Sequence, residues 1–96
     1  MHVILWRYRV RPGREREFEA AYGPDGAWAR LFGADPGFLG TELMRASDEA
    51  YLTLDRWMSG EAFDAFHARN AVAYAALDAD CATLTECETS LGAVEV

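Results

Sequence analysis

Residues 3–10, VILWRYRV, alternate along an extended chain: Ile4, Trp6, Tyr8 and Val10 share one side, and Val3, Leu5, Arg7 and Arg9 share the other. Large apolar groups stand on both sides. A strand of this kind needs cover on both faces, and no other feature of the chain restricts its fold as strongly. Pro12-Gly13 ends the strand. In GREREFEAAYG, which follows, Phe18 and Tyr22 recur one turn apart behind a charged first turn, and a helix is predicted. Gly23-Pro24 breaks that helix, and Pro24 is well placed to open a new turn. Trp28, Leu31 and Phe32 then return at helical spacing, with Gly33 suited to the C-terminal cap.

Pro36-Gly37 is a turn into a second strand, FLGTELMR, residues 38–45, with Gly40 a bulge or close-packing point. Ser47-Asp48-Glu49 makes a polar hairpin connection to a third strand, YLTLDRWM, residues 51–58. Ser59 is a good N-cap, and Glu61 suits the positive end of the helix behind it. From 60 to about 85, Phe63, Phe66, Asn70, Tyr74, Leu77, Cys81 and Leu84 step by three or four residues along one face. Asn70, the polar member, is expected to cap a second helix where the first breaks. The segment ending LGAVEV reads as a fourth strand.

The order β-α-β-β-α-β predicts an α+β, ferredoxin-like domain over residues 1–96, with a four-stranded antiparallel sheet and its helices on one face. The other face, with Val3, Leu5, Leu52, Leu54 and Met58, is left bare. A chain of 96 residues buries only roughly 60–65% of its unfolded surface. A second copy on the bare face would bury more, so a homodimer is predicted.

The formal charge of −7 and pI near 4.6 oppose a phosphate backbone, so no nucleic-acid partner is expected. No window approaches the ~20 apolar residues of a membrane span. MHVILWRYRV runs from a short apolar stretch into arginines rather than a cleavage site, and a cytoplasmic protein is predicted. Cys81 and Cys87 form no CxxC and lack a nearby histidine pair, so both are read as idle thiols; neither a metal site nor a cofactor is expected.

Three stretches carry a resemblance. VILWRYRVRPGREREFEAAYG, PGFLGTELMR and YLTLDRWMSGEAFDAFHA, in this order and spacing, resemble antibiotic biosynthesis monooxygenase domains over almost the whole chain. The resemblance implies a dimeric α/β barrel with a pocket in each subunit between sheet and helices. It implies a mixed set of activities, among them oxidation of polycyclic aromatic compounds by molecular oxygen without a cofactor, and haem degradation. Trp57 matches a tryptophan of the cofactor-free oxygenases. Their Asn four residues earlier is Thr53 here, and their Tyr six residues later is Phe63. The Trp of haem-degrading members falls near Phe66 and their iron-ligating His near Ala76, so haem degradation is not expected.

Tyr51, Thr53, Asp55 and Trp57 alternate onto one strand face. With Trp6 and Tyr8 they either line the implied pocket or form an ordinary core with Asp55 paired to an arginine. A carboxylate walled by aromatics can carry a raised pKa and act as a base. His67, beside the apolar stripe with Phe63 and Phe66, could take a phenolic proton or be a half-exposed helix residue. Trp28 and Phe32 suit a pocket lid or a satellite of the core, and Tyr74 suits pocket or core. Arg7, Arg9 and Arg56 fall on the face assigned to the partner, where Glu42 or Glu88 would pair with them. The function expected is a cofactor-independent monooxygenase-like enzyme for a small hydrophobic aromatic or quinone-type molecule. The alternative is a dimer of the same fold that binds or senses such a molecule without turnover.

Overall fold

The computed structural model describes all residues, Met1–Val96. Four strands, β1 (His2–Val10), β2 (Phe38–Arg45), β3 (Tyr51–Trp57) and β4 (Thr85–Glu95), form one sheet in the order β2-β3-β1-β4. Every neighbouring pair is antiparallel. Helices α1 (Glu15–Tyr22) and α2 (Ala27–Phe32) follow β1; α3 (Gly60–Arg69) and α4 (Ala71–Cys81) follow β3. This is the expected α+β, ferredoxin-like arrangement. No helix is long and apolar enough to cross a membrane.

Local chemistry explains most boundaries. Ser59 Oγ accepts from Ala62 N at 3.1 Å, which caps α3. Gly40 sits at φ +132 where the β2–β3 register shifts, so the bulge needs a residue without Cβ. The break at Asn70 falls where expected, but its side chain serves the other helix: Nδ2 donates to Phe66 O at 3.0 Å and closes α3 instead of capping α4. The helical stripe stops earlier than expected. Ala82–Leu84 tighten into a 3₁₀ turn, and β4 runs from Thr85 into LGAVE, the fourth strand expected of the segment ending LGAVEV.

β1 is central, and its two sides separate the core from the bare face. On the helix side, Ile4 pairs with Asp55, Trp6 with Thr53 and Tyr8 with Tyr51. Phe18, Trp57 and Phe66 are fully enclosed there. On the opposite side Leu5, Leu52 and Leu54 are only partly covered and Met58 is exposed. Of the arginines on that side, Arg56 pairs with Glu42 at 2.7 Å, as anticipated. Arg7 and Arg9 instead meet Asp48, at 2.5 and 3.2 Å. Glu88 is not their partner. A register shift between Leu5 and Trp6 puts Glu88 opposite Tyr8, on the helix side.

Candidate functional site

A cavity of about 250 Å³ lies between the helix side of the sheet and the helices. Strand alternation builds its floor: Trp6 and Tyr8 from β1, Thr41 from β2, and Thr53 and Asp55 from β3 all point the same way. Tyr22, at the end of α1, and Trp28 and Phe32, on α2, close one side. Tyr74 and Asp78 face it from α4, and Glu88 from β4. α2 is only one and a half turns long. Tertiary contacts therefore hold it: the Trp28 ring packs 5.8 Å from Phe32, 6.0 Å from Tyr22 and 5.0 Å from Tyr74. With Trp28 and Phe32 buried, this segment is a fixed wall rather than a lid.

Asp55 is the buried acid of the site. Thr41 Oγ1 donates to its Oδ1 at 2.6 Å, and no arginine reaches it. Burial pushes its carboxyl up to about 6, with the Thr41 hydrogen bond opposing the shift. Near neutral pH it is poised to take a proton. Around it stand neutral hydroxyls. Burial raises Tyr8, Tyr22 and Tyr74 above the ordinary phenol value, and nearby carboxylates push Tyr8 and Tyr74 further. Thr53 Oγ1 donates to Tyr8 Oη at 3.4 Å. Trp28 Nε1 is buried without a hydrogen bond of good geometry, a donor left over on the cavity wall. Glu88 is also raised, by burial and then by the charge of Asp78.

The sequence candidates divide. Trp6, Tyr8, Trp28, Phe32, Thr53, Asp55 and Tyr74 meet at the cavity. Trp57, Phe63 and Phe66 do not; they pack on one another at ring distances of 5.3, 5.1 and 6.4 Å and fill the core behind Phe32. Trp57 has the same strand parity as Asp55 but lies one pleat further along, under α3. Tyr51 lies past the other end, against Phe18, where its hydroxyl donates to Glu19 and Arg45 covers its ring at 4.7 Å. His67 is exposed and packs on Tyr74 and Phe63, 4.7 and 6.0 Å between centroids. It does not reach the cavity, which leaves Asp55 as the buried candidate base, with Asp78 and Glu88 at more exposed positions of the wall.

Four wall residues escaped the sequence reading. Tyr22 was legible as inward but not as a site residue. Thr41 shares the parity of Leu43 on β2, and Asp78 lies one helical turn beyond Tyr74, so spacing alone pointed to both. Glu88 required the register shift in β4, for which the sequence carries no clear signal.

A family model described as antibiotic biosynthesis monooxygenase matches residues 1–76. No curated protein matches the sequence. Among solved structures, the chain is similar to SnoaB, a cofactor-independent oxygenase from Streptomyces nogalater: 21% identity, TM-score 0.77, covering 99% of this chain and 91% of that one. At that identity the likeness is one of fold. It is also similar to the heme-degrader MhuD from Mycobacterium tuberculosis, solved with two hemes bound: 27% identity, TM-score 0.67, covering 100% of this chain and 95% of that one.

Proposed function

The chain belongs to the antibiotic biosynthesis monooxygenase family, and from that premise we propose that it is a cofactor-independent oxygenase for a small aromatic, phenol- or anthrone-type molecule, with Asp55 as the base. The observation that carries this reading is a nine-tenths buried carboxylate, free of any arginine, on the floor of an aromatic cavity. Asp55 removes a proton from the bound substrate. The resulting anion gives one electron to dioxygen, and the substrate radical and superoxide join as a peroxide. Asp55 returns its proton to that peroxide anion, and loss of water then turns a ring CH₂ into a carbonyl. One oxygen atom enters the product, the other leaves as water, and the substrate supplies all four electrons. The neutral tyrosines and the spare Trp28 N–H offer donors for the developing oxyanion.

Haem suits this wall poorly. It carries no histidine, cysteine or methionine, burial holds its three tyrosines protonated and so weak as ligands to iron, and the wall's carboxylates would face the propionates. A binding-only role is the second reading. It is favoured by Thr53, which stands where the resemblance places an asparagine. Oxygen uptake separates the two. Dialysed, chelator-treated protein is expected to consume oxygen with at least one of a panel of anthrones, hydroquinones and naphthols, releasing a quinone. If none of the panel raises uptake above the rate without protein, the oxygenase reading fails.

We further propose that two copies pair through the sheet face opposite the cavity. The partly covered Leu5, Leu52 and Leu54, with exposed Met44 and Met58, form an apolar patch rimmed by ion pairs. Sedimentation is expected to show a dimer, and Leu54→Arg a shift to monomer at micromolar protein. A monomeric wild type would end this proposal.

A further inference from the structure

The cavity is acidic and aromatic, and no cation lines it. Asp55, Asp78 and Glu88 stand on its wall. None of them takes part in any ion pair of the chain. All nine basic side chains are arginines, and none lines the cavity. The acids are not scattered. Asp55 is 9% exposed and forms the floor, whereas Asp78 and Glu88 are solvent-exposed and mark the mouth. Their charges act on shared neighbours: Asp78, Asp55 and Glu88 all bear on the Tyr74 hydroxyl.

Two observations point to an absent ligand independently of this charge. Only Thr41 hydrogen-bonds the buried Asp55 carboxylate, which leaves its second oxygen to the cavity. Trp28 Nε1 makes no hydrogen bond of good geometry within the protein, only approaches to the Tyr22 hydroxyl and the Cys81 thiol. An anion in this space would meet three carboxylates, and an uncharged molecule would gain at most a hydrogen bond from the two at the mouth. A cation gains from both, and from the faces of Trp6, Tyr8 and Tyr74.

We propose that the molecule bound here is an arylalkylamine in its protonated form, an aromatic ring system carrying an aliphatic ammonium, with the rings inside the cavity and the ammonium at the mouth between Asp78 and Glu88. The inference rests on the reading above only in placing the substrate in this cavity, not on the oxygen chemistry. It gives the substrate a charge that the family reading leaves open, and it separates recognition at the mouth from proton removal at the floor.

Three probes of one shape test it by titration calorimetry near neutral pH: 2-naphthylmethylamine, 2-naphthylmethanol and 2-naphthoate. The ammonium is expected to bind about tenfold more tightly than the alcohol, and the carboxylate most weakly. In a protein carrying Asp78→Asn and Glu88→Gln, both at solvent-exposed positions, the gap between ammonium and alcohol is expected to close through loss of ammonium affinity. Equal binding of ammonium and alcohol, preference for the carboxylate, a gap that survives the double variant, or no binding of any probe each overturns the proposal. Failure of oxygen uptake with an ammonium preference intact would remove the oxygenase and leave this inference standing. Uptake with neutral phenols and no ammonium preference would do the reverse.

Discussion

Asp55→Asn is expected to make the folded chain more stable above neutral pH while abolishing its turnover. In the folded state the carboxyl titrates at about 6, against an ordinary value of 3.8. Between those two values the native protein holds a proton that the unfolded chain has released. Stability therefore falls as pH rises through that window, and below it both states are protonated and nothing is lost. Above pH 6 the full cost of the buried charge applies, about 2–3 kcal/mol. Asparagine has the same shape, keeps an acceptor for Thr41 Oγ1 and carries no charge. The variant should melt about 10 °C higher than wild type at pH 8, and at the same temperature as wild type below pH 4. Glu88, also raised, is present in both proteins and cancels from the comparison. The same change should lower the rate of oxygen uptake by about 10²–10⁴. A melting difference that is flat with pH would show that Asp55 holds no buried charge. Unchanged uptake would show that it is not the base.

How much of this was legible before the structure depends on the residue. β1, β2 and β3 announced themselves through alternation and Pro-Gly punctuation; parity paired Trp6 with Tyr8 and Thr53 with Asp55, and the family resemblance put the two pairs on one face. Parity has no coordinate along the strand. It could not say that Tyr51 and Trp57, on the same face, lie beyond the two ends of the cavity. That depends on where α1 and α3 land, which is tertiary. The period of α4 carried the reading to Leu84 because Leu84 is buried in phase with Cys81, yet the chain had already left the helix. β4 follows directly on the 3₁₀ turn and is the strand expected of the segment ending LGAVEV, although little in its own composition favours one. Its acidic residues and Gly92 are poor strand formers, and pairing with β1 holds them extended regardless. Of the acids at the mouth, Asp78 follows Tyr74 at helical spacing, whereas Glu88 reaches the cavity only through the register shift in β4.

Trp57 is where the family resemblance and the packing give different answers, and two substitutions decide between them. The ring is fully buried, 5.6 Å from Phe32, 5.2 Å from Phe38, 5.3 Å from Phe63 and 5.1 Å from Phe66 by centroid. Trp57→Ala removes the centre of that cluster and should cost about 3–5 kcal/mol. That is a large share of the roughly 5–15 kcal/mol that holds a domain folded, so the variant should lose most of its resistance to urea. Trp57→Phe is a different experiment. It keeps one ring in the cluster and deletes Nε1, a buried donor with no acceptor. Such a group costs roughly 1–3 kcal/mol when buried unpaired, and its removal offsets much of the lost packing. The phenylalanine variant should therefore unfold within about 1.5 kcal/mol of wild type. It should also turn over substrate at the wild-type rate, because the cavity wall is made by Phe32 in front of this ring and not by the ring itself. A folded Trp57→Phe protein with its oxygen uptake reduced tenfold or more would mean that the indole reaches the substrate, as the resemblance implies, and that the cavity opens further toward α3 when occupied.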